Sequence, residues 1–189
     1  MRFCFNLFKM KNSMKKFNEF ILEKDIKNPP TINLLEKLYG LGFNFLIHTH
    51  PPLRTVEEAK KYRRTTHGGN AKNLFLRDKK KNNFLITVDE NQPIDLKSLA
   101  NLICSDRLSF ASPKRLLEFL GVLPGAVSPL ALINDTKNNV SFFIDENLIK
   151  EEKINFHPLI NNLTITIDTK DFSKFLDSIQ HSAKYLKFE

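Results

Sequence analysis

The chain lacks most of the devices that advertise a chemistry. It has two cysteines in 189 residues, Cys4 and Cys104, and neither belongs to a C-x-x-C pair. No disulfide framework is expected, and the chain reads as a reduced, intracellular protein. No apolar run approaches the roughly 18 residues that cross a bilayer. The N-terminal stretch MRFCFNLFKMKNSMKK carries charge and phenylalanine but no uninterrupted apolar segment and no small-residue cleavage site. It is not expected to act as a signal peptide, and a cytoplasmic location follows. Met14 offers a second start, so residues 1–13 are expected to be an extension and 14–189 a single folded domain. A phosphate-binding P-loop and a dinucleotide-binding glycine fingerprint are both absent. Ser109, Ser112 and Ser128 lack the G-x-S-x-G setting of a nucleophile elbow. His48, His50 and His67 have no Cys, Asp or Glu at ligand spacing. Neither a metal nor a cofactor is expected.

What is present is an ordinary globular composition, 41% hydrophobic and 26% charged, with an excess of eight positive charges. That length and composition suit one compact domain. The charge is unevenly placed. Between Arg54 and Lys81 stand ten basic residues against three acidic ones, and residues 1–30 carry seven against three. The remaining sequence is net negative, so the basic excess is concentrated. That distribution suits a polyanion such as nucleic acid. A lysine-rich composition alone would spread the charge along the chain.

Residues 15–27 read as a short amphipathic helix built on Phe17, Phe20, Ile21, Leu22 and Ile26, stopped by Pro29-Pro30. Thr31 is expected to cap a second helix ending near Gly40. FNFLIHTH reads as a strand closed by Pro51-Pro52. Thr55, with Glu58 three residues later, has the form of a capping box for a helix VEEAKKYRR. THGGN is expected to be flexible. Strands are expected at 73–77 and 84–88 across the turn DKKKNN, then a helix capped by Asp95 and a short extended RLSFA. Ser112 and Pro113 start a helix that Gly121 ends. LALIN, VSFFID, INFHP and LTITID are strand candidates, and TKDFSKFLDSI is a closing helix. Strands and helices alternate irregularly, so the expected fold is α/β with a mixed sheet.

Two features stand out among the candidate sites. Lys72 in KNLFL stands at the start of an apolar strand. There an ammonium either snorkels to water or meets an anion. GVLPGAVSPLAL places Gly125 and Pro129 around a rigid loop. It is either an ordinary Pro-Gly turn or a set of backbone N–H groups aimed at a carbonyl or oxyanion. Of the histidines, one of His48 and His50 is expected to pack and the other to be solvated. Cys104 falls in an amphipathic helix, where a buried thiol is the usual occupant.

Taken in order and spacing, THPPLRTVEEA, GGNAKNLFLRDKK, DLKSLA, RLSFASPKRLLEFLGVLPGAVSPLALIND, VSFFID and NFHPLINNLTITI resemble the YbaK-like aminoacyl-tRNA deacylases. The likeness is greatest to the PrdX/ProX-type prolyl-tRNA editing proteins and runs from about Thr31 to Ile179. It implies a single editing domain with a curved, mostly antiparallel mixed sheet flanked by helices. It implies a metal-independent hydrolase that acts on the ester of mischarged tRNA(Pro), with alanine the expected amino acid and cysteine or another small residue the alternative. Partners are then the tRNA(Pro) acceptor end and prolyl-tRNA synthetase. At matching positions the resemblance gives Lys72, Gly125 and His157 catalytic places. It gives Thr55, Val56, Asn73, Ala126, Val127, Ser128 and Pro129 to substrate binding, with Arg77 and Arg107 facing the acceptor stem. The basic residues Lys60, Lys61, Arg63 and Arg64 add attraction for the tRNA. A module that only bound RNA would have no need of Lys72, Gly125, Pro129 and His157 together.

Overall fold

The computed structural model describes residues 15–52, 58 and 67–188. The first helix, α1, covers 15–23 and buries Phe17 and Ile21. Leu22, expected on that face, is 78% exposed. The helix ends where Asp25 turns left-handed (φ 49°) and Ile26 N–H donates back to the Ile21 carbonyl. Pro29 and Pro30 do not merely stop α1. They start α2 (Pro29–Gly40), whose cap is Asn28, with Asn28 Oδ1 accepting from Thr31 N–H at 3.0 Å. Proline fits a first helical turn because the N–H it lacks has no partner there anyway. Thr31, expected as the cap, is buried two residues further in. Its hydroxyl donates to the Pro158 carbonyl at 2.7 Å, tying α2 to the segment after β6.

The eight strands among the described residues are β1 (Phe45–Thr49), β2 (Gly69–Arg77), β3 (Asn83–Asp89), β4 (Ser109–Phe110), β5 (Val140–Asp145), β6 (Lys153–Phe156), β7 (Leu163–Asp168) and β8 (Ala183–Leu186). They form one mixed sheet in the order β1-β7-β6-β2-β3-β5-β8, with β4 on β2. Pairs β1–β7, β6–β7, β2–β3 and β2–β4 are antiparallel, and β2–β6, β3–β5 and β5–β8 are parallel. Helices α3 (Leu96–Leu102), α4 (Pro113–Leu120) and α5 (Thr169–Ser178) follow among the described residues. Asp95 caps α3. Ser112 caps α4, which Gly121 ends at φ 64°, as the sequence predicts.

Three further expectations change. LALIN is not a strand but part of a 3-10 helix, Pro129–Asn134, because Ser128 Oγ accepts from Leu130 N–H and Pro129 presets the first turn. β2 begins four residues early, so His67-Gly68 leads straight into the sheet and Gly69 and Asn70 belong to it. The two glycines serve close packing: a Cβ on Gly68 would meet the Lys153 backbone, and one on Gly69 the Leu148 side chain. Cys104 lies past the end of α3 at φ 53° and is exposed, because the helix stops at Leu102. The strand β8 was not anticipated.

Side chains alternate across the sheet. On one face Ile47, Ile154, Phe156, Leu163, Ile165 and Ile167 are buried in the main core. The register puts His48 opposite Thr164, Thr166 opposite Asn155, and Asn155 opposite Asn70. One half of the sheet therefore has an apolar side that holds the fold together and a polar side built from four strands.

Candidate active site

The polar side is internally bonded. Thr166 Oγ1 donates to Asn155 Oδ1 at 2.6 Å, and Asn155 Nδ2 donates to Asn70 Oδ1 at 3.1 Å. Strands β2 and β6 are parallel, and their last paired residues are Asn70 and Asn155. Two residues further along each chain stand Lys72 and His157, on the side of the sheet that carries the two asparagines. Lys72 is half-buried in the body of β2, not at its mouth, and its Nζ donates to the Gln92 carbonyl at 2.6 Å. The ammonium is thus held at a fixed height above the strand.

His157 is half-buried, and its Nδ1–H donates to the Leu163 carbonyl at 2.7 Å. A carbonyl can only accept, so the neutral ring carries its lone pair on Nε2. The His50 ring lies beside it, 5.8 Å between centroids. His50 Nδ1 is 2.9 Å from the Pro51 carbonyl, and Nε2 is 2.9 Å from Thr164 Oγ1. The next histidine back, His48, has its pKa pushed below the ordinary 6.5, first by burial and then by the nearby charges of His50 and Lys24. It favours the neutral form. His67 is exposed.

The loop after α4 supplies the third part. Ala126 N–H donates to the Leu123 carbonyl at 3.0 Å, with Pro124 and Gly125 between. Gly125 has φ 91°, the left-handed geometry of the third residue of a type II turn. Ala126, Ser128 and Pro129 are buried, and the Ser128 hydroxyl is engaged in capping, so these residues offer a ligand backbone in preference to side chains. Among the described residues, no protein acceptor meets the N–H of Gly125, Val127 or Ser128. The stretch Gly121–Ala126 lines a cavity of about 650 Å³ whose other walls include Pro52 and Leu159–Asn161. Pro52 lies two residues after His50, and Leu159 two after His157. Both histidine segments therefore run directly into the cavity wall.

Of the sequence-predicted residues, Lys72 and His157 fall on one side of the sheet and Gly125 in the adjoining cavity wall. Asn73 points away from Lys72, to the opposite face of β2, where its Oδ1 accepts from Thr87 Oγ1 at 2.8 Å. Arg77 ends β2, and Arg107 is exposed on the stretch before β4. Thr55, Val56, Lys60, Lys61, Arg63 and Arg64 lie outside the described residues. Sequence reasoning missed Asn70, Asn155 and Thr164, and it gave His50 only a packed or solvated place. The available signal was the shared spacing of two: His48 and His50, Thr164 and Thr166, Asn155 and His157, Asn70 and Lys72.

Comparison with known proteins identifies the family and the fold. The family model of the aminoacyl-tRNA editing domain matches residues 50–175. The prolyl-tRNA editing protein ProX of Acetoanaerobium sticklandii is 35% identical over 155 residues, covering 82% of this chain and 94% of that one. The prolyl-tRNA synthetase associated domain-containing protein 1 of Danio rerio is 37% identical over 158 residues, covering 82% of this chain and 86% of its own. A crystal structure of a candidate trans-editing enzyme for prolyl-tRNA synthetase superposes with a TM-score of 0.63 at 19% identity, over 86% of this chain and 99% of that one. At that identity the likeness speaks to the fold.

Proposed function

We propose, from the premise that this chain belongs to the aminoacyl-tRNA editing domain family and is an aminoacyl-tRNA deacylase, that it clears alanine from mischarged tRNA(Pro) in trans. The observation that supports the proposal is that Lys72 and His157 each stand two residues beyond the pair Asn70–Asn155, and that the cavity lined by Gly125 is also lined by Leu159, two residues after His157. A synthetase pocket shaped for proline cannot strongly reject a smaller side chain, because one missing methylene is worth only about 1–3 kcal/mol. A second, smaller site that hydrolyses the wrong product restores the discrimination.

The chemistry asked of the site is modest. An aminoacyl ester is an activated bond, so no side-chain nucleophile is needed. The oxygen of a positioned water bonds to the ester carbonyl carbon, and the carbonyl oxygen becomes an oxyanion. Collapse breaks the bond to the ribose 3′ oxygen, which leaves with a proton. The products are free alanine and an intact tRNA 3′ end. The N–H groups at Gly125, Val127 and Ser128 face the oxyanion, where one good donor is worth about 3 kcal/mol. Lys72 holds a phosphate of the terminal nucleotide. His157 presents Nε2 to the reacting groups, and the vicinal 2′-hydroxyl of the substrate assists the water. Asn73 contributes from the other face, by fixing β2 against β3 through Thr87. The acceptor stem lies against the basic surface that includes Arg77 and Arg107, and prolyl-tRNA synthetase is the source of the mischarged substrate.

The test is deacylation of tRNA(Pro) charged with alanine, cysteine or proline. Fast loss of alanine alone is expected. Preferential loss of cysteine reassigns the amino acid, and binding without any turnover overturns the hydrolytic reading. A 2′-deoxy terminal ribose is expected to slow cleavage; an unchanged rate removes the hydroxyl from the mechanism.

A further inference from the structure

We infer that Phe110 is a stacking platform for an unpaired base in the 3′ segment of the RNA, an inference that rests on the aminoacyl-tRNA reading above. Phe110 is 64% exposed although it sits in a strand. Two residues earlier Leu108 is 4% exposed and packs in the smaller core with Leu76, Leu99 and Phe143. The local chain thus fills its core without the phenyl ring. The ring is nevertheless firmly mounted. Phe110 pairs with Leu76 and Ser109 with Arg77, and Ala111 N–H donates to the Phe75 carbonyl at 3.0 Å. A directly opposed antiparallel pair shares a face, so Phe110 projects on the same side of β2 as Leu76 and Lys72.

One exposed aromatic ring is unremarkable by itself. The second observation is the charge gathered around it. The hairpin turn carries exposed Lys79, Lys80 and Lys81. Lys80 Nζ is 3.3 Å from Asp106, and Arg115 Nη2 donates to the Lys81 carbonyl at 3.0 Å. These contacts hold the turn between the segment that carries Arg107 and the start of α4. Arg107, the three turn lysines and exposed Lys114 therefore stand on the segments next to the strand that carries the ring, with Asp106 paired to Lys80, while Arg77, opposite Ser109, projects to the other side of β2. An aromatic face among cations that favour phosphates is the arrangement by which unstacked bases of single-stranded RNA are bound.

The spacing fits the substrate. Lys72 and Leu76 are four residues apart on one strand, about 13 Å at ~3.3 Å per residue. That corresponds to roughly four stacked nucleotides at ~3.4 Å each. With the terminal nucleotide held at Lys72, the ring at Phe110 meets the 3′ strand where it joins the acceptor helix.

The experiment measures binding of uncharged tRNA(Pro), alongside KM for the alanyl ester. Phe110→Ala is expected to weaken binding by at least about fivefold, with the loss falling on KM. Phe110→Trp retains affinity. Phe110→Leu, which keeps an apolar side chain without a π face, behaves like the alanine variant and guards against a folding artefact. A tRNA made abasic at the unpaired nucleotide next to the helix binds the wild type more weakly, but binds Phe110→Ala no worse than intact tRNA does. The salt slope of Phe110→Ala stays at the wild-type value, whereas Arg107→Ala lowers it by about 0.7–0.9. Equal tRNA affinity in wild type and Phe110→Ala, or the same abasic penalty in both, overturns the inference while leaving the deacylase reading intact. A wild type that neither binds tRNA nor cleaves its ester overturns both.

Discussion

Lys72 and His157 occupy matching places on two parallel neighbours, each two residues beyond the pair Asn70–Asn155. The pairing explains why a lysine interrupts an apolar strand. On its side of β2 Lys72 stands between Asn70 and Leu74 and opposite Val88, where the polar stretch meets the smaller core, and its ammonium is anchored on the Gln92 carbonyl.

Lys72→Ala is therefore expected to reduce single-turnover deacylation of Ala-tRNA(Pro) by roughly 100-fold or more, the scale of losing a charged group at the reacting centre. The melting temperature should barely move, since the side chain fills no core. Lys72→Arg should recover part of the rate, because it restores charge but not the compact ammonium geometry. A near-normal rate for Lys72→Ala would show that the lysine has no part in turnover.

His157 offers a sharper separation of roles. An asparagine at this position places its amide nitrogen about where Nδ1 stands, so His157→Asn keeps a donor for the Leu163 carbonyl. It has nothing at the position of Nε2. This variant should keep its thermal stability and lose at least about tenfold in rate. His157→Gln has the reverse geometry and should lose stability through an unpaired carbonyl, about 1 kcal/mol or more. If His157→Asn and wild type cleave equally fast, the ring is only a structural brace.

The reading of the sequence succeeded where local rules decide the outcome. Asp95, Ser112 and Gly121 cap and end their helices as their residue types require. It failed where a tertiary neighbour decides. LALIN is instead a local miss, since it has strand composition but the adjacent Ser128 and Pro129 preset a 3-10 turn. Gly68 and Gly69 look like slack until the Lys153 backbone and Leu148 are seen against them. Lys72 and the Gly125 loop were legible as separate signals, whereas His157 entered only through resemblance. The network of Asn70, Asn155, Thr164 and His50 was not, because strand order in a mixed sheet is invisible to periodicity.

Gly125→Ala tests the loop, and Gly42→Ala provides the comparison. Both glycines have positive φ, 91° and 79°. A Cβ at Gly42 would have nothing within 4 Å, so only backbone strain is felt there. Each substitution should cost about 1–2 kcal/mol of stability. Only Gly125→Ala should also lower kcat/KM, by about tenfold or more, because it shifts the turn that lines the cavity. Equal kcat/KM for the two variants would disconnect the loop from catalysis.

The pH dependence of stability has a direction fixed by His48. Burial, then His50 and Lys24, hold its pKa below the ordinary 6.5 in the folded state. Between the two pKa values the unfolded chain binds the proton that the folded chain refuses, so stability falls as pH drops. The contribution is fully present above pH 6.5 and is lost as pH falls through the folded value. His48→Gln removes the titrating group. Urea unfolding at pH 7.5 and pH 5.5 should therefore show a larger loss of stability for wild type than for His48→Gln. An equal loss in the two proteins would mean that burial of this imidazole does not oppose its protonation.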